Sequence, residues 1–146
     1  RLFPGRVELK IICDVFFDCE YIPVRKVMWS EHSEVEELKG IDIGVMPLKD
    51  DPWSWGKCGL KILQYFGVGV PAVCTPVGVN RDVVTPGRNG AWAKSHEEWV
   101  SALARFIADG ELRKRAGLAG RETLERGYTL EVNAPRLVSA ITGTGR

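Results

Sequence analysis

The sequence has almost no net charge and few histidines, and it has no closely paired cysteines. Its 146 residues include 20 Lys and Arg against 19 Asp and Glu, which gives a formal net charge of +1. Nucleic acids and anionic membrane surfaces select strongly basic proteins, so this balance predicts that nucleic acid is not a partner. His32 and His96 each lie beside a serine and among glutamates, so we expect solvated side chains rather than metal ligands.

A long apolar run is also missing. The longest stretch without a charged residue, 62–80, contains three glycines and two prolines, and it cannot form a membrane-spanning helix. The four cysteines form no C-x-x-C pair, and we expect them to be reduced thiols of a cytoplasmic chain. A peripheral association of the full-length protein with a membrane is compatible with these features. The cysteines are Cys13, Cys19, Cys58 and Cys74.

What is present is the composition of one globular domain, with 45% apolar and 27% charged residues. The chain opens at Arg1 and reaches its first strand pattern within a few residues, so we expect residues 1–146 to be one domain truncated at its start. We further expect this truncation to expose an apolar surface through which the fragment self-associates.

Short apolar segments alternate with helical patterns along most of the chain. Strands are predicted at 7–13, 24–29, 41–47, 70–74 and 90–93. Helices are predicted at 33–40, 59–66, just after 80, from 95, at 111–126 and at 129–141, the first and fourth with capping boxes, and the tail 143–146 is expected to fray. This alternation predicts an α/β, Rossmann-like parallel sheet with helices on both faces and a helical C-terminal tail.

Two loops at predicted strand ends are unusual. In the first, 49–59, Gly56 and Gly59 bracket Lys57 just before a helix begins. Glycines let a ligand approach the backbone, the helix start offers free amides, and the lysine adds a positive charge, so an anion site for phosphate is predicted. The alternative is an ordinary helix start beside a solvated lysine. Trp53 and Trp55 would then either cover a ligand or close the edge of the domain.

The second unusual loop, 75–82, follows the most apolar strand. Gly78 would let a ligand reach main-chain amides, and Asn80 can hydrogen-bond polar groups. The alternative is a turn in which Asn80 caps the next helix. Asp50 and Asp51 stand before a proline and are interpreted as turn residues rather than metal ligands.

Several segments in fixed order are similar to the group 1 (family 4) glycosyltransferases. These segments are Asp42-Ile-Gly-Val-Met-Pro-Leu, Gly56-Lys-Cys-Gly-Leu-Lys-Ile-Leu-Gln-Tyr-Phe, Gly69-Val-Pro-Ala-Val, Pro76-Val-Gly-Val-Asn-Arg-Asp-Val-Val and Gly87-Arg-Asn-Gly90. The resemblance implies the carboxyl-terminal half of a GT-B enzyme, which binds a nucleotide-diphosphate sugar. It also implies that the amino-terminal acceptor domain of the same polypeptide, and the first strand of this domain, are missing.

The resemblance also identifies departures from the family pattern. The family carries two glutamates eight positions apart, one contacting the donor sugar and one the ribose. Here Gly56 and Gln64 occupy those positions. Gln64 retains the capacity to hydrogen-bond a ribose hydroxyl, and Lys57 becomes a phosphate or sugar contact. The amides of Gly59 and Leu60 would share in holding the diphosphate.

The function implied is glycosyl transfer, with retained stereochemistry, from a nucleotide sugar to an unknown acceptor. The donor-binding residues expected are Gly56, Lys57, Gly59, Leu60, Gln64, Gly78 and Asn80. Catalytic residues are not identified, no metal or other cofactor is expected, and the isolated fragment is expected to be inactive. The alternatives are a non-catalytic nucleotide-sugar-binding module, favoured by the absent glutamates, and a GT-B-like sugar-nucleotide epimerase.

Overall fold

The computed structural model describes residues 3–143 and contains strands and helices in the predicted alternation. The tail 143–146 is expected to fray, but its residues after Gly143 lie outside the described range. All the strands are short because each apolar run is soon ended by a loop. They are β1 (Leu9–Cys13), β2 (Val24–Met28), β3 (Gly44–Met46), β4 (Ala72–Cys74) and β5 (Gly90–Trp92).

Apart from α2, a short helix within the predicted loop 49–59, the helices agree in order with the sequence patterns. They are α1 (Glu34–Lys39), α2 (Pro52–Trp55), α3 (Leu60–Gly67), α4 (Asn80–Val83), α5 (His96–Ala108), α6 (Gly110–Gly127) and α7 (Leu130–Thr142). The capping box predicted at Ser95 is present, since Ser95 accepts from the amide of Glu98 and the Glu98 carboxylate accepts from that of Ser95. None of the helices within residues 3–143 is long and apolar enough to span a bilayer.

The prediction of a capping box at Ser33 is wrong. Ser33 has helical backbone angles (φ −105°, ψ −13°), and its side chain caps no helix amide. The turn before α1 already winds helically, with the Ser33 amide donating to the Ser30 carbonyl at 3.2 Å. Because an N-cap residue needs an extended backbone to reach forward, the hydroxyl of Ser33 cannot serve. The helix forms nevertheless and ends at Gly40 as predicted.

The strands are all parallel, as predicted, but they form two sheets rather than one continuous sheet. β1 pairs with β2, and β3, β4 and β5 pair in that order. A cavity of about 520 Å³ lies between the two sheets and is lined by residues of β1 and β3, among them Leu9, Ile12 and Val45. The two facing strand edges are therefore separated by an open groove.

Helices cover both faces of the three-stranded sheet, as predicted. Along β4, Ala72 and Cys74 pack in one core cluster with Ile62 and Phe66 of α3. The intervening Val73 packs in a second cluster that includes Phe106 of α5. Successive side chains of a strand point to opposite faces, so this short apolar strand is buried on both sides. The fold is the predicted Rossmann-like architecture, with α7 as a helical tail.

Several apolar side chains remain exposed on α7. Leu130 is 77% exposed and Ile141 is 75% exposed, and no residue of this helix is buried. An apolar face of this kind, together with the groove between the sheets, is the surface expected to drive association of the isolated chain. We therefore expect sedimentation velocity to show an average mass that rises with concentration. A constant monomer mass over a hundredfold concentration range, roughly, would contradict this expectation.

Candidate functional site

The two unusual loops meet at the carboxyl ends of β3 and β4. The backbone amide of Leu48 donates to Thr75 Oγ1 at 3.1 Å, which joins the start of one loop to the start of the other. Gly78 has φ +52°, and a Cβ placed there would lie 2.7 Å from the carbonyl oxygen of Trp55. Only glycine allows this close approach. Ligands of open parallel sheets bind at this edge, so the two loops form one candidate site.

The start of α3 forms the centre of this site. Gly59 precedes the helix with φ +71°, in the left-handed region, and the carbonyl of Gly59 accepts from the amides of Ile62 and Leu63. The amides of Leu60 and Lys61 belong to the first turn and have no intrahelical acceptor. Two free amides and the helix dipole favour an anion at this position.

Lys57 lies three residues before Leu60, where this helix begins, and is exposed. It is one of the positive charges that lower the pKa of Asp51, although hydrogen bonds from Ser54 are the larger causes. The neighbouring Gly56 ends α2 with ordinary helical angles (φ −81°, ψ −1°), so the position does not require glycine for its backbone conformation. Lys57 is thus a solvent-accessible cation in the loop that leads into α3.

The side chain of Asn80 has a different position from the one expected of a ligand contact. It is 1% exposed, and its amide nitrogen donates to the Thr75 carbonyl at 3.0 Å. The prediction that Asn80 caps α4 is wrong, because Val79 occupies that position and Asn80 is the first helical residue. The side chain fixes the second loop against the end of β4, close to Gly59.

Gln64 faces a carboxylate that the sequence reasoning missed. Glu34, at the start of α1, accepts hydrogen bonds from Trp29 Nε1 at 3.1 Å and Lys61 Nζ at 3.3 Å. The hydrogen bond from Trp29, followed by Lys61 and the Gln64 amide, holds the pKa of Glu34 below its usual value. The side-chain oxygen of Gln64, Oε1, is buried and has no hydrogen-bond partner.

This cluster of Trp29, Glu34, Lys61 and Gln64 joins three separate elements. Trp29 follows β2, Glu34 begins α1, and Lys61 and Gln64 belong to α3. No local sequence pattern relates Glu34 to residues about thirty positions away. The available signal was the apolar Trp29 beside a polar turn, which by itself does not indicate a contact.

The acidic turn before α2 has the structural role that its sequence suggests. Asp51 accepts a hydrogen bond from the Ser54 amide at 2.8 Å and so caps α2, with Pro52 in the first turn. Asp50 accepts from Trp55 Nε1 at 2.7 Å. Trp53 is 81% exposed, so most of its surface is not packed against residues 3–143. The part of the chain that is described contains no group of three or more His, Cys, Asp and Glu side chains able to hold a metal.

The cysteines offer a direct probe of the loop around Lys57. Cys58 is exposed, whereas Cys74 is fully buried and its burial raises the pKa of the thiol to about 12. We expect iodoacetamide to modify Cys58 and not Cys74 in the folded protein, because the reactive thiolate must form and be reached. Inorganic pyrophosphate should slow modification of Cys58 only. Peptide mapping by mass spectrometry measures the modification of each cysteine with and without pyrophosphate. Equal slowing of the modification at Cys19 would show that the effect is not local.

The family model described as "Glycosyl transferases group 1" matches residues 24–123. No curated protein sequence matches the chain. Among solved structures, sucrose-phosphate synthase from Thermosynechococcus elongatus is similar, with a TM-score of 0.73 and 20% identity over 83% of this chain and 30% of that one.

Two further structures share the fold. The C-terminal domain of the glycosyl transferase group 1 family protein LpcC from Francisella tularensis has a TM-score of 0.62 and 18% identity, covering 76% of this chain and 55% of that one. HepE from Anabaena, solved in complex with UDP and glucose, has a TM-score of 0.63 and 16% identity, covering 87% of this chain and 33% of that one. The chain spans about half or less of the length of each of these proteins.

The family match covers more than half of the chain and includes both loops of the candidate site. It agrees with the α/β fold and with the similarity to GT-B structures. The chain belongs to the group 1 glycosyltransferases.

Proposed function

We propose that this chain is the donor-binding domain of a glycosyltransferase and binds a nucleotide-diphosphate sugar. The observation that carries the proposal is the start of α3, where free helix amides and the exposed Lys57 lie at the carboxyl edge of the sheet. The UDP complex of the structurally similar HepE supports a nucleotide ligand for this fold. The acceptor would bind to a second domain on the amino-terminal side of the same polypeptide.

The proposed chemistry needs stabilisation of negative charge on the departing diphosphate. The amides at the start of α3, including that of Leu60, point towards the anion, and Lys57 adds a mobile cation. Gly59 takes a left-handed backbone conformation before α3, and Gly78 lets the two loops pack closely together at this site. These groups would act more strongly as the leaving group gains charge than on the intact donor, which is the condition for catalysis. Retention of the anomeric configuration is part of the proposal.

Turnover by the full-length protein tests the proposal. It should be incubated with UDP-, GDP-, ADP- and CDP-sugars, after a thermal-shift panel of the same compounds has identified those that stabilise it. We expect release of the nucleoside diphosphate and formation of a glycoside. Residues 1–146 alone should show no turnover above the rate without enzyme, because in this proposal one wall of the cleft and the acceptor site would belong to the second domain.

The two alternatives give different products. A binding module would be stabilised by a nucleotide sugar without releasing the diphosphate, which the glycine at position 56 and the glutamine at position 64 favour. An epimerase would convert the sugar nucleotide into a second sugar or sugar nucleotide without glycosylating an acceptor. Separation of the products by mass spectrometry and chromatography distinguishes these outcomes from glycosyl transfer.

A further inference from the structure

Glu34 lies where the order of the strands reverses. One cavity is lined by both β1 and β3, so from this gap the chain moves away on one side from β1 to β2 and on the other side from β3 to β4 and β5. The gap between β1 and β3 is therefore the topological switch point, and ligands of such sheets bind at its carboxyl end. Glu34 and Lys61 both line the cavity of about 520 Å³ that occupies this gap.

The carboxylate of Glu34 is held in place and still reaches solvent. It accepts from the Trp29 indole and the Lys61 ammonium, its side chain is 19% exposed, and the Gln64 amide faces it. A carboxylate has about four acceptor positions, so three neighbouring donors leave capacity for another. Gln64 Oε1 is buried and does not offer such an acceptor to solvent. Glu34 is thus the member of this cluster that can receive a donor from a ligand.

The position of Glu34 relates it to the proposed diphosphate site. Its partner Lys61 directly follows Leu60, whose amide is one of the free donors at the start of α3. The positive charge of Lys61 lies 3.3 Å from the carboxylate and offsets part of the negative charge that would repel an anion at the start of α3. Beside Glu34, the ring of Trp29 is 50% exposed and offers a flat apolar surface.

The part of a nucleotide sugar that fits this arrangement is its nucleoside. The ribose carries two neighbouring hydroxyl donors and is joined to the diphosphate, and a base can stack on an indole ring. Resting on the proposed function, we propose that Glu34 binds the ribose hydroxyls of the donor nucleotide and that Trp29 provides the surface for the base. A carboxylate contributed by α1 would then select ribonucleotides.

The test compares a ribonucleotide with its dideoxy analogue on the full-length protein. Of UDP, GDP, ADP and CDP, the one bound most tightly by calorimetry is used together with its 2′,3′-dideoxy form. Glu34→Ala should weaken binding of the ribonucleotide about tenfold to a hundredfold, because hydrogen bonds to a charged group are lost. Binding of the dideoxy form should change little, so the preference of the wild-type protein for the ribonucleotide disappears. Glu34→Gln should reduce the same preference less.

Glu36→Ala is the matched control, since it removes a second first-turn glutamate of α1, an exposed one that pairs with Lys39. It should leave both affinities unchanged. Equal weakening of the ribonucleotide and dideoxy forms by Glu34→Ala would show that Glu34 only supports the fold and would overturn the inference. So would unchanged binding of both forms. If the wild-type protein binds none of the four diphosphates, the proposed function itself fails.

Discussion

Replacing Lys57 with alanine should weaken binding of a nucleoside diphosphate about tenfold to a hundredfold. Lys57 is exposed and lies three residues before Leu60, the first of the free amides of α3, where the structure offers positive charge to an anion. A charge-assisted hydrogen bond contributes about 1.5–3 kcal/mol, which corresponds to that loss. The matching nucleoside has no phosphate, so its affinity should hardly change.

Calorimetry with UDP, uridine and inorganic pyrophosphate measures these effects on the full-length protein. Lys49→Ala is the control, since Lys49 is an exposed lysine of the same loop, also near Asp51, but farther along the chain from α3. Each variant removes one positive charge. A general electrostatic effect would therefore weaken the binding of UDP and of pyrophosphate to the same extent in the two variants, and it would decline with increasing salt concentration. A parallel loss of uridine binding by Lys57→Ala would mean that this lysine supports the fold and does not contact phosphate.

The sequence predicts what depends on local patterns. The apolar strands, the glycine-ended helices and the cap at Ser95 were all predicted because each element carries its signals within a few residues. The short helix α2 was not predicted, although Asp51 followed by Pro52 is a typical helix start. The difference between Ser95 and Ser33 is one of backbone conformation: Ser95 is extended (ψ 164°), whereas Ser33 is already helical.

The contacts that define the candidate site depend on packing between distant elements. The close approach of Gly78 to Trp55 brings two predicted loops together, which their positions after neighbouring strands made foreseeable. The contact of Glu34 with Lys61 depends on how α1 packs beside α3, and no periodicity encodes that. The division into two sheets likewise depends on the spacing of β1 and β3, which the residues of each strand alone do not encode.

Gly117→Ala should destabilise the protein by about 3 kcal/mol, at the upper end of the usual cost of overpacking a core. Gly117 lies inside α6, and a Cβ there would be 1.8 Å from the carbonyl oxygen of Gly69. That oxygen belongs to the backbone of the turn between α3 and β4, so no side-chain rotation can relieve the overlap. α6 must move away, and with it Ala116 and Leu124, which pack against the two core clusters.

Urea unfolding of the wild-type and variant proteins measures this loss, with Gly127→Ala as the control. A Cβ at Gly127, in the same helix, meets nothing within 4 Å. Alanine is favoured over glycine in a helix by up to about 1 kcal/mol, so local propensity predicts stabilisation for both variants. The two substitutions should therefore act in opposite directions. A Gly117→Ala protein at least as stable as the wild type would show that α6 does not approach the α3–β4 turn so closely, because the gain in propensity would then be unopposed.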